Sequence, residues 1–267
     1  MDCHFSLASA VRWCYLDVYL DGVLWEHIGV DGVSEWPTSL RLILPTGHKR
    51  ITLVLPCLFS TRIRNVRFDP GTALVPMVSS HTLLFLGDSI TQGYTARYPS
   101  MTYANIVGRR LDARILNQGI GGGVFDVHTL DAELDYKPDQ AIIAYGTNDW
   151  INHRDLADRV QHYMQVATEI FSEAAIYVLL PLWRADIEQR QKKAGVPFLY
   201  VHETIKEACM AYGSRIHILD GYRMLPHCSA LLADEQVHPN DLGFVVLAEA
   251  VEKALRQQMA PKAQEGK

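Results

Sequence analysis

A serine closes an apolar run: Leu83-Leu84-Phe85-Leu86 leads directly into Gly87-Asp88-Ser89-Ile90-Thr91 within the stretch LLFLGDSITQGY. Gly, Asp and Ser are turn residues, so a plain strand-to-helix turn would account for them. The same arrangement presents a hydroxyl at the carboxyl end of a buried parallel strand, where open α/β sheets place their ligand sites. Three further stretches fall at strand ends or in the last loop of the pattern described below: Asn117-Gln118-Gly119-Ile120-Gly121-Gly122-Gly123, Gly146-Thr147-Asn148-Asp149 and Val237-His238-Pro239-Asn240. Each is weak alone, but together they bring the parts needed for acyl transfer to one edge of a sheet. A serine hydroxyl is a poor nucleophile until a base takes its proton. His238 suits that task because imidazole can both accept and return a proton near neutral pH. The base needs a partner on its other nitrogen to fix tautomer and orientation. The oxyanion of the tetrahedral intermediate needs donors already in place. The Ser89 N–H, a glycine N–H from the 119–123 loop and the Asn148 amide are available for this.

These blocks resemble, in the same order, those of the SGNH (GDSL-type) hydrolases: GDSIT, the glycine-bearing second loop, GTND and a C-terminal H-P-N, over roughly residues 82–258. The resemblance implies a flavodoxin-like three-layer α/β sandwich, Ser89 as nucleophile, His238 as base, and an oxyanion hole of Ser89, a loop glycine and Asn148. Counted from Asn117, the family register puts that glycine at Gly122, with Gly119 the second choice. One departure matters. The family carries Asp three residues before the histidine, where this chain has Glu235, while Asp234 lies four before. Register favours Glu235 and side-chain type favours Asp234; a backbone carbonyl in place of either would leave a dyad.

Other residues have two readings each. Asp88 reads as a turn stabiliser and Asp149 as a structural residue bonding loop backbone. Trp150 and the pair Trp183-Arg184 follow strand ends, where they would line a substrate pocket or simply pack. Neither GxGxxG nor a phosphate-loop lysine accompanies Gly121 to Gly123. None of the 11 histidines sits in HExxH or similar ligand spacing, so no metal or cofactor is expected.

The elements that must position these groups change character near residue 80. Before it, short strand-like runs alternate with turn signals, including a hairpin at Asp21-Gly22 and a second hairpin turn in PTGHKR after the strand-like run SLRLILP. Residues 1–78 therefore read as a small antiparallel β-sandwich, jelly-roll-like module. Trp25 and Trp36 within it would suit sugar stacking or its own core. From 79 to 262, five strand-like runs alternate with helical ones, which predicts a parallel sheet between helix layers. Helices are expected over SMTYANIVGRRLDA with a Ser100 cap, over VFDVHTLDAELDY, and after an Asn240 or Asp241 cap. The polar tail at 263–267 reads as disordered.

Bulk properties narrow the partners. The 267-residue chain is 48% hydrophobic with a net charge of −5, and no basic stripe stands out, so nucleic acid is not an expected partner. No run of about 18 apolar residues suggests a membrane span. Five scattered cysteines and no leader-like start read as a cytoplasmic protein. A homo-oligomer is compatible with all of this.

The combined expectation is a serine esterase acting on a small acyl ester, acetyl foremost, on a sugar or similar polyol. The domain layout resembles certain carbohydrate esterases and related acyltransferases. Two alternatives remain at this point: an acyltransferase using the same acyl-enzyme, and a carbohydrate-binding protein without catalysis.

Overall fold

The computed structural model describes residues 2–7, 13–32, 39–151 and 155–259. Trp36 and the 263–267 tail lie outside them. The N-terminal part builds two small antiparallel sheets. One pairs β1 (Asp2–Leu7) with β5 (Phe59–Arg64). The other has the order β3-β2-β4, from β2 (Trp13–Leu20), β3 (Val23–Asp31) and β4 (Ile51–Val54). The β2–β3 hairpin turns at Asp21 and Gly22, whose φ values of 51° and 82° are the left-handed pair that a two-residue hairpin turn requires. The run at 40–44 corrects the expectation of a strand. It alternates half-buried and exposed residues, with Ile43 82% exposed, and forms no strand among the described residues; β4 pairs with β2 instead. PTGHKR is thus a turn leading into β4 rather than a hairpin between two strands.

The larger part is a five-stranded parallel sheet in the order β10-β9-β8-β6-β7. Its strands are β6 (His81–Gly87), β7 (Ala113–Gly119), β8 (Gln140–Ala144), β9 (Ala175–Leu179) and β10 (Ile216–Leu219). The inner strands β6, β8 and β9 have apolar runs without alternation because both of their faces are covered. Leu84, Leu86, Ile143 and Val178 face one layer, containing α3 (Leu156–Ile170) and α5 (Phe198–Met210). Leu83, Phe85, Ile142 and Leu179 face the other, containing α2 (Tyr103–Arg110) and α7 (Asp241–Met259). This is the expected three-layer sandwich. Strand β6 pairs with β7 on one side and β8 on the other, so the chain reverses direction across the sheet beside it. In such sheets the crevice above this switch point is the ligand site.

Two helix expectations need correction. VFDVHTLDAELDY forms only a 3-10 turn over Val127–Thr129. Asp126 Oδ1 accepts from the His128 N–H at 3.0 Å and Asp131 Oδ1 from the Glu133 N–H at 2.9 Å, local bonds that compete with helical ones. Helix α2 is capped by Thr102, whose hydroxyl accepts from the Asn105 N–H, and not by Ser100. Asn240 does cap α7, its side-chain oxygen accepting from the Gly243 N–H at 3.0 Å. No helix among the described residues is long and apolar enough to cross a membrane.

The N-terminal sheets dock on the loop that follows Ser89. Asp17, fully buried on β2, accepts from the Ser100 N–H at 2.9 Å and lies 2.6 Å from His27 Nδ1. The His27 ring stacks on Tyr98 at 3.6 Å, and Trp13 Nε1 donates to Ala96 O at 3.0 Å. Arg97 and Asp31 form an exposed pair nearby at 2.7 Å. Removing the buried carboxylate strands a backbone N–H and an imidazole. We expect Asp17→Ala to lower the unfolding free energy by about 2–4 kcal/mol in urea denaturation. Asp31→Ala, which loses an exposed pair with Arg97 and an exposed hydrogen bond from the Tyr15 hydroxyl, should cost less than about 1 kcal/mol.

Candidate active site

The turn after β6 is shaped by contact. A Cβ on Gly87 would sit 2.2 Å from Thr91 Oγ1 and 2.8 Å from Ala144 O, so only glycine allows β6 to close against β8 there. Asp88 caps the short helix α1 (Ser89–Gln92), its Oδ1 accepting from the Ile90 N–H at 2.9 Å. Burial pushes the Asp88 carboxyl up to about 7, against the pull of that N–H. Asp88 is therefore the turn stabiliser that its position suggested. Ser89 is the first residue of α1, so its N–H is one of those a helix start leaves without an intrahelical acceptor.

His238 reaches the serine from the loop before α7, with Nε2 3.0 Å from Ser89 Oγ. Its Nδ1 lies 2.6 Å from Asp234 Oδ2. The other Asp234 oxygen accepts from the N–H groups of Gln236, Val237 and His238 at 2.9, 2.8 and 3.1 Å. Partial burial alone would raise the Asp234 carboxyl. The Val237 N–H, the imidazole and the other two N–H groups outweigh that and hold it at about 2. An ionised Asp234 can only accept, so Nδ1 carries the proton and Nε2 is left to receive one from the serine.

Glu235, the alternative by register, is exposed, and it is Asp234 that meets the imidazole. It takes φ 56°, a left-handed conformation uncommon for its type. That single reversed residue absorbs the extra position and lets an aspartate four residues back reach the ring.

The second loop is tied to both neighbours. Ile120 N–H donates to Gly87 O at 2.9 Å and Gly123 N–H to Ile120 O at 3.0 Å. Gly122 is exposed with φ 77°, and a Cβ there would meet nothing within 4 Å, so its backbone faces open space. Gly119 differs: a Cβ there would strike Gln92 N at 2.2 Å, which marks it as a packing position under α1. Asn148 Nδ2 donates to Gly123 O at 3.0 Å, and its second amide hydrogen remains for another acceptor. Asp149, fully buried, accepts from the Phe125 N–H and pairs with Arg159 at 3.1 Å, anchoring the same loop.

The tryptophans part ways. Trp150 is fully buried against Phe198, its indole N–H donating to Val196 O at 3.0 Å, so it is core and cannot line a pocket. Arg184 is also buried, bidentate with Asp186 at 2.6 and 2.9 Å. Trp183 is half-buried and stacks on the exposed His227 at 5.1 Å; the adjoining Ala185 N–H donates to Gln236 O in the histidine loop. Trp25 is 48% exposed on β3. Sequence reasoning missed Tyr94, whose ring lies 4.8 Å from that of His238. Its signal was the aromatic at the end of GDSITQGY.

A profile described as the GDSL-like Lipase/Acylhydrolase family matches residues 85–245. Comparison with curated proteins finds no match. Among solved structures, the salicylyl-acyltransferase SsfX3 from a tetracycline biosynthetic pathway superposes with TM-score 0.77 at 21% identity, over 97% of this chain and 79% of its own. A carbohydrate esterase family 2 enzyme with a carbohydrate binding domain, from Corynascus thermopiles, gives 0.70 at 18% identity, over 97% and 91%. A family two carbohydrate esterase from Clostridium thermocellum, in complex with cellohexaose, gives 0.67 at 16%, over 97% and 88%.

The two acidic neighbours can be separated by kinetics on a chromogenic acetate ester. Asp234→Ala should lower kcat by roughly 10²- to 10⁴-fold, while Glu235→Ala should stay within about threefold of wild type.

Proposed function

This chain belongs to the GDSL-like Lipase/Acylhydrolase family, and from that we propose that it is a serine esterase releasing small acyl groups, acetyl foremost, from a carbohydrate or similar polyol. One observation carries the reading: the unbroken line from Ser89 Oγ through the His238 imidazole to Asp234, with separations of 3.0 and 2.6 Å. Ser89 Oγ attacks the ester carbonyl carbon as its proton passes to His238 Nε2, and the carbonyl electron pair moves onto oxygen. The N–H groups of Ser89 and Gly122 and the amide of Asn148 receive that oxyanion. Collapse expels the alcohol, which takes the proton from Nε2 and leaves the acyl group on Ser89. A water then repeats the sequence and releases the acid.

The carbohydrate part of the proposal draws on the esterases that share this fold, and on the stacked Trp183–His227 pair beside the histidine loop, an aromatic surface that suits a sugar ring. In this reading the chain divides near residue 78, with the N-terminal sheets forming one side of the site. The second reading, transfer of the acyl group to an acceptor alcohol, is favoured by one observation, the superposition on the salicylyl-acyltransferase.

Wild type should release nitrophenol from p-nitrophenyl acetate and acetate from acetylated xylo-oligosaccharides, and Ser89→Ala should lose at least about 10⁴-fold in kcat. Equal rates in the two proteins would overturn the serine mechanism. Ester formed with an added alcohol, in preference to free acid, would favour the transferase.

A further inference from the structure

Asp234 grips the imidazole of His238 at one point, Nδ1, and fixes the start of its backbone. That bond restrains the ring without fully setting its tilt about the Cβ–Cγ bond, because the terminal torsion of histidine is broad and a contact on the ring face narrows it further. The ring of Tyr94 lies against His238 with centroids 4.8 Å apart and planes at 66°. The tyrosine is itself set by the serine turn, its N–H donating to Ser89 O at 2.9 Å. The next residue, Thr95, has φ 76° and donates from its hydroxyl to Pro239 O at 2.9 Å, joining this loop to the residue after the histidine. Tyr94 packs together with Trp13 and Cys57 around one buried cluster of Cys14, Leu58 and Phe59. Trp13 also holds the loop through its bond to Ala96 O at 3.0 Å.

We infer that Tyr94 is a positioning residue for His238, and that the N-terminal sheets, through Trp13, hold Tyr94 in place. The inference rests on the serine-esterase reading. The tyrosine touches no reacting atom. It keeps Nε2 on the line along which the Ser89 proton leaves Oγ as the Oγ–carbon bond forms, and along which it returns to the departing oxygen. Misplacement of a catalytic group by about 1 Å is enough to cost roughly 10²-fold in rate. Asp234 from its own loop and Tyr94 from the serine turn both lie against the imidazole. The ring of Tyr94, and not its hydroxyl, makes the contact that matters here.

The test uses the full chain as wild type, Tyr94→Phe, Tyr94→Leu and Trp13→Phe, with kcat and KM on p-nitrophenyl acetate, thermal unfolding, and the rate of Ser89 labelling by a fluorophosphonate. Tyr94→Leu should lose about 10- to 100-fold in kcat, with KM within about threefold of wild type and slower labelling. Tyr94→Phe should restore kcat to within about threefold of wild type. Trp13→Phe keeps an aromatic ring but loses the bond to Ala96, so it should lower kcat while staying folded; it carries the test if Tyr94→Leu is unfolded at the assay temperature. An unchanged kcat in Tyr94→Leu and Trp13→Phe would overturn the inference. So would a Phe variant as poor as Leu, or a rise confined to KM, which would make Tyr94 a substrate contact. A wild type that neither turns over nor labels at Ser89 would instead overturn the serine reading beneath it.

Discussion

Three backbone N–H groups and one imidazole converge on the carboxylate of Asp234. One oxygen folds the loop from 234 to 238 around itself, and the other fixes the tautomer of His238. The same charge therefore shapes the loop and orients the imidazole. Charge-assisted bonds of this kind are about twice as strong as neutral ones, and they keep the group ionised far into acid. Depression of the carboxyl to about 2 means that this contribution is complete above the ordinary carboxylate range, declines below it, and is gone once pH has fallen through about 2. Without that anchor, the histidine would depend on packing alone to meet Ser89.

The rest of the fold supplies the other coordinates. Gly87 lets β6 and β8 close together at the switch point, and Asp88 starts the helix that carries the serine. The glycine loop is then tied to β6 through Ile120 and to β8 through Asn148 and Asp149. The ends of β6, β7 and β8 thus contribute one component each, and hydrogen bonds between neighbouring loops fix their mutual positions. The N-terminal sheets reach this arrangement from outside, through Asp17 and Trp13, by gripping the loop from 94 to 102. They contribute no part of the serine–histidine line itself, but they back the loop beside it.

Most of the sheet was legible in the sequence because a strand buried on both faces must be apolar throughout, as Leu83 to Leu86 and Ala141 to Ile143 are. Asp21-Gly22 was legible because few residues tolerate left-handed φ. Ser89, Asn148 and His238 stood out by type and order. The carboxylate did not. The choice between Asp234 and Glu235 turned on whether one residue could reverse its backbone, and spacing says nothing about that. The segment at 124–136 misled for a related reason. Its apolar spacing suits a helix, while Asp126 and Asp131 satisfy nearby N–H groups and favour turns. Trp150 and Tyr94 show the limit for aromatics: both follow a motif block, yet one turned into the core and the other toward the imidazole. Neither direction is written in local pattern, because tertiary packing decides it.

The central claim is that Ser89 is a nucleophile activated by the Asp234–His238 pair. Peptide mapping by mass spectrometry after reaction with a fluorophosphonate, with esterase activity followed in parallel, tests it most directly. The account predicts a single phosphonyl group on the peptide containing Ser89, appearing at the rate at which activity is lost. Label elsewhere, or activity that survives complete modification of Ser89, would contradict it.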